Sequence, residues 1–86
     1  MKKEEYTELK LHEIASIIGN NWKQINYAAK PYLDAMYTLN NIEDNYYCDA
    51  GRSVVAYFLS NAGTWRGEVA REVKIELKRR LKQCRA

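Results

Sequence analysis

Between Thr64 and Ala86 the side chains sort by angle around a helix. On a wheel of about 100° per residue, Val69, Ala70, Val73, Leu77, Leu81 and Cys84 share one apolar arc. Arg71, Lys74, Lys78, Lys82 and Arg85 line up beside it at spacings of three and four, and Glu68, Glu72 and Glu76 form a strip on the far side. The pattern predicts a long amphipathic helix that docks along one edge and offers a cationic stripe along another.

Upstream, Leu11, Ile14, Ala15 and Ile18 predict a first helix over roughly Lys3 to Ile18, and the same wheel keeps Trp22 and Ile25 on the buried side, so this helix is expected to pass through or bend at Gly19-Asn20-Asn21. Pro31 is placed to open the next helix, because its missing N–H is unneeded at a first helical position; Tyr32 to Leu39 follow, then a turn through Asn40-Asn41. Ser53 to Leu59 has the β-branched and aromatic content of a strand. Yet Tyr47, Gly51, Val54, Val55, Phe58, Leu59 and Ala62 keep helical spacing, and no second convincing strand is available to pair with it. A central helix is the better reading. Ala62-Gly63 would end it and Thr64 would cap the last helix. The expected fold is all-α: one domain over residues 1–86, a small bundle of four to five helices.

Charge sharpens this picture. The chain of 86 residues carries a net +3, but residues 1–63 hold 6 Lys or Arg against 8 Asp or Glu, whereas residues 64–86 hold 8 against 3. Local basicity of this kind points to a contact surface. Cys48 and Cys84 have no CxxC spacing and a single His for company, so neither a metal site nor a cofactor is expected, and two reduced thiols fit a cytoplasmic protein. The charged start Met1-Lys2-Lys3-Glu4-Glu5 gives no sign of a signal peptide, and no apolar run reaches the ~18–20 residues of a membrane span.

Three features carry candidate chemistry. The first is the stripe from Arg71 to Arg85, about 21 Å long at ~1.5 Å per residue, which matches several phosphates of a nucleic-acid strand. Its alternative is a solvated helix face whose cations complement the helix dipole. The second is Ser60-Asn61-Ala62-Gly63-Thr64-Trp65-Arg66-Gly67. Here Gly63, Thr64 and Gly67 give a phosphate access to the backbone, Arg66 grips it, and Trp65 offers a face to a base, with Arg52 and Arg71 converging and Lys74 and Lys78 as an electrostatic fringe. The alternative is an interhelical turn in which Trp65 packs. The third is a helix-turn-helix echo over residues 14–30, with Lys23, Gln24 and Asn26 as base-reading side chains. Seven tyrosines, and Ile75 standing among charges, mark possible surfaces for a protein partner or a second copy of the chain. A His12–Cys48 dyad has nothing in the sequence to bring it together, and an enzyme is not expected.

The segments Asn21 to Met36 and Asp44 to Lys74, above all the run Val55-Ala56-Tyr57-Phe58-Leu59-Ser60-Asn61-Ala62-Gly63-Thr64-Trp65-Arg66-Gly67, resemble a family of small phage- and prophage-type proteins without an established activity. The resemblance covers most of the chain after Gly19. It implies no role for any residue; it implies a compact accessory protein that works by binding a host protein, a nucleotide signal or DNA. It also counts against the helix-turn-helix, since the family pattern is charged where this chain has Gly19. The expected function is therefore non-enzymatic binding of a phosphate-bearing ligand, nucleotide or nucleic acid, through Arg66, Trp65, Arg71, Lys74 and Lys78. The rival expectation is inhibition of a host protein.

Overall fold

A computed structural model describes residues 6–41, 45–46 and 49–83. The readings made above for the charged start Met1 to Glu5, including the expected helix start at Lys3, and for Tyr47, Cys48, Cys84 and Arg85 lie outside the described residues. Among the described residues four helices follow one another: α1 (Leu11–Asn21), α2 (Lys30–Met36), α3 (Gly51–Ser60) and α4 (Glu68–Gln83). A two-residue antiparallel ladder, β1 (Asn45–Tyr46) with β2 (Asp49–Ala50), leads directly into α3 and was not foreseen. Ser53 to Leu59 is helical, as its spacing required, and buries Val54, Val55 and Phe58.

α1 starts at Leu11 after non-helical residues 7–10, so the helix expected over Lys3 to Ile18 is not continuous. Two of its N–H groups that lack a partner inside the helix are taken by the chain leaving α2: Leu11 N–H donates to the Asn40 carbonyl at 2.9 Å and His12 N–H to Leu39 at 2.9 Å. Glu13 reaches back to accept from the Lys10 N–H at 2.8 Å. These bonds fix the helix start by tertiary contact, which no local pattern reports. A Cβ at Gly19 would overlap the Tyr37 hydroxyl, so a larger residue there would push aside the end of that exposed side chain.

The helix does not run on through Trp22. It ends at Asn21, and Trp22 turns extended while its N–H still bonds Ile18 at 2.8 Å. Residues 22–29 are not helical. Asn26 keeps the segment from resuming a helix: its side-chain oxygen accepts the Ala28 N–H at 3.0 Å, its carbonyl accepts from Ala29 and Lys30, and its amide reaches Asn61 O at 3.3 Å. An Asn that serves the backbone in this way forms a turn in competition with a helix. The reading helix of the helix-turn-helix echo at 14–30 is therefore not formed, and that alternative is corrected. α2 then opens at Lys30 with Pro31 in its first turn, within one residue of expectation.

On α4 the apolar arc behaves as read: Ala70, Val73 and Leu77 are buried, Val69 and Leu81 half-buried. Two details differ. The helix begins at Glu68, with the Gly67 carbonyl accepting from Arg71 N–H at 3.0 Å, so Gly67 and not Thr64 is its cap. Moreover Glu76, assigned to an exposed acidic strip, is 1% exposed. Both its oxygens are held by Arg79 (2.9 and 2.7 Å), and Arg80 Nε adds a 2.6 Å bond. Arg80 Nη2 continues to the Tyr6 and Leu9 carbonyls at 2.8 and 2.7 Å, clasping the start of the described chain against α4. A buried carboxylate is tolerable because both its oxygens accept from guanidinium groups, in three charge-assisted bonds.

Burial pushes the Glu76 carboxyl upward, but the hydrogen bonds and charges of Arg79 and Arg80 outweigh it and hold it below its ordinary value of 4.5. A carboxyl lowered on folding stabilises the fold above its unfolded pKa, and that contribution disappears as pH falls through the folded one. Glu76→Gln should accordingly flatten the acid limb of urea-midpoint against pH below 4.5; parallel limbs would contradict the assignment. Glu76→Ala, which strands Arg80, should cost about 3–5 kcal/mol.

Candidate anion-binding site

The connection from α3 to α4 is shaped by aromatic packing. Trp65 stacks on Trp22 (centroids 5.8 Å apart, planes at 16°), and both meet Phe58 edge-on, at 6.2 and 6.5 Å. The Trp65 indole N–H donates to Asn21 Oδ1 at 2.8 Å, joining the end of α1 to the connection. Trp65 N–H bonds the Ala62 carbonyl, and Lys74 Nζ bonds the Trp65 carbonyl at 2.7 Å while lying 5.9 Å from the indole centre. With one face on Trp22, an ammonium over the ring and 2% of its surface exposed, Trp65 is a core residue and no platform for an incoming base. The packing alternative given for it above is the correct one.

What this core presents to solvent is a groove of about 640 Å³. The end of α1 and the residues after it supply Asn21, Trp22, Lys23 and Gln24; the connection supplies Thr64, Trp65 and Arg66. Lys23, Gln24, Thr64 and Arg66 are exposed, and no carboxylate lines the groove. Sequence reasoning placed Lys23 and Gln24 in a DNA-reading helix and did not bring them to Arg66. The contact that does so spans 44 positions and leaves no periodic trace.

The remaining expected residues are spread as follows. Arg71 and Lys78 are exposed on α4, and like Arg66 they form no ion pair among the described residues. Lys74 is half-buried; burial lowers its pKa first, and the positive charges of Lys78 and Arg66 lower it further. None of these three cations forms an ion pair among the described residues. Arg52 does not join them: it lies in the first turn of α3, about 12 Å along the helix from the end that leads into the groove. Gly63 is exposed with open space where a Cβ would sit, so nothing there demands glycine. Gly67 does, at φ 111°.

Among the described residues no three His, Cys, Asp or Glu side chains gather to hold a metal. No helix of the described residues is long and apolar enough to cross a membrane. Compared with known proteins, the chain matches no family model, no curated protein and no solved structure. Its chemistry therefore has to be argued from its own residues.

The two glycines should respond oppositely to alanine. Gly67→Ala should lose about 1–2 kcal/mol in urea unfolding, because a Cβ at that φ is strained. Gly63→Ala should be neutral or gain up to about 1 kcal/mol through the unfolded chain. Equal effects would contradict the connection's geometry.

Proposed function

We propose that this chain is a non-enzymatic binding protein for a phosphate-bearing ligand, a nucleotide or a nucleic-acid strand, working in the cytoplasm. The observation that carries the reading is the gathering of Arg66, Lys74 and Lys78: Lys74 bonds the Trp65 carbonyl, next to Arg66, at 2.7 Å, Lys78 stands one turn further along α4, and no carboxylate lines the adjoining groove. Like charges held together raise the free energy of the fold unless an anion is recruited. Arg66 and Arg71 are the proposed phosphate contacts, since a guanidinium presents paired donors to phosphate oxygens. Lys78 adds to the field. Lys74 contributes charge too, but its bond to the Trp65 carbonyl also makes it a positioning residue for the connection. Trp65 holds the site in shape from beneath.

The resemblance to phage-type proteins would set such binding in an accessory or counter-defence role, with capture of a nucleotide signal as its simplest form. A second reading, a protein-partner surface, has its own support. Tyr27 is 88% exposed, Tyr32 stacks on the exposed Tyr57 with centroids 5.4 Å apart, and Ile75 is 40% exposed on α4. These side chains suit a host protein or a second copy of the chain.

Titration with ATP and with a short oligothymidylate at low salt tests the reading. One of the two should bind, weakening about tenfold or more between about 50 and 200 mM salt. Folded Arg66→Ala should lose about tenfold or more in affinity. Undiminished binding by that variant, or indifference to salt, would remove phosphate recognition from this surface.

A further inference from the structure

We infer that the groove between residues 21–24 and 64–66 is a subsite for the base and sugar of a single nucleotide, which makes the ligand a nucleoside phosphate and not a strand. The inference rests on the phosphate-binding reading and adds a second wall to it.

Size is the first argument. About 640 Å³ lies within the range of roughly 300–1,000 Å³ in which small-molecule sites fall. The chemistry is the second. Asn21 lines the groove with its side-chain oxygen occupied by the Trp65 indole, which leaves its amide hydrogens as the donors it can offer. Gln24 brings both a donor and an acceptor and has no hydrogen bond to any described residue. Carboxamides are the side chains whose paired donor and acceptor match a base edge. Thr64 adds a hydroxyl suited to a sugar.

Rigidity is the third argument. The floor is the Trp22–Trp65 stack, fixed by Phe58 and by the Asn21 bond, so the wall on which a ligand would rest is formed before it arrives. Electrostatics then sets the ligand's direction. The carbonyl end of α1 carries partial negative charge and has no cation in its last turn, which disfavours phosphate at that end; Lys23 offsets part of this field. Phosphate belongs at the other end, by Arg66 and the first turn of the basic flank. A strand would instead follow Arg71, Lys74, Lys78 and Lys82 along α4 and leave the carboxamides idle.

The test compares the common ribonucleoside triphosphates, inorganic tripolyphosphate and a short oligothymidylate, read by tryptophan fluorescence and by the indole N–H resonance of Trp65. At least one nucleoside triphosphate should bind roughly tenfold more tightly than tripolyphosphate and should shift the Trp65 indole signal. Gln24→Ala, at an exposed position outside any helix, should reduce that affinity several-fold and leave tripolyphosphate binding unchanged. Arg66→Ala should weaken both. If every nucleotide binds no better than tripolyphosphate, or if Gln24→Ala and Lys23→Ala leave nucleotide affinity intact while Arg66→Ala lowers it, the subsite is refuted and phosphate recognition stands. Tighter binding of the oligothymidylate, dependent on Lys78 and Lys82, would likewise overturn the nucleotide and keep the phosphate. Absence of binding by all three probes at low salt would overturn both.

Discussion

The burial of the Trp65 indole is the constraint on which the upper half of this fold depends. One ring closes the core over Phe58, stacks on Trp22 and spends its only polar hydrogen on Asn21. A buried indole N–H without an acceptor would cost on the order of 1–3 kcal/mol, so the bond to Asn21 is also a register mark between distant parts of the chain. It fixes where α1 stops, since Trp22 must turn out of the helix to meet the stack. It fixes the path of residues 61–67, whose carbonyl at Trp65 is then within reach of Lys74. Arg66, next in the chain, is left facing solvent beside Lys23 and Gln24 because its neighbour is turned inward.

The opposite end of α4 is secured by a different kind of contact. Glu76, Arg79 and Arg80 make a charged network with almost no solvent on the carboxylate, and Arg80 Nη2 bonds the backbone of residues 6 and 9. The result divides the basic residues of α4 into two populations. Arg79 and Arg80 are consumed by folding; Arg71, Lys78 and Lys82 are not, and with Arg66 they supply the positive field. Net charge alone would have counted them together.

That division explains what could be read from the sequence. Periodicity works where a helix buries a face against a core, so the apolar arc of α4 and the helical state of Ser53 to Leu59 were both legible. Glu76 was not. Its spacing from Glu68 and Glu72 looks like a surface strip, and only the chain around Tyr6 and Leu9, folded over it, makes the position interior. Asn26 similarly gives no periodic warning that it will break a wheel which carries apolar Ile25 beside it. In the site, the basic side chains were found by pattern, but the wall opposite Arg66 was not, and Arg52 was placed near it with no contact to require that. An indole has an apolar face in either setting; whether that face meets Trp22 or a ligand is decided by residues far away in the chain.

The central claim is that Arg66 and the groove beside it form one anion-recognising surface. It is tested most directly by a ¹H–¹⁵N spectrum of the labelled protein, recorded with and without a saturating nucleoside triphosphate at low salt. The account predicts shifts concentrated at residues 22–24 and 64–71 and at the Trp65 indole N–H, reversed by added salt. Shifts confined to the tyrosine face around Tyr27 and Tyr57, or an unchanged spectrum, would contradict it.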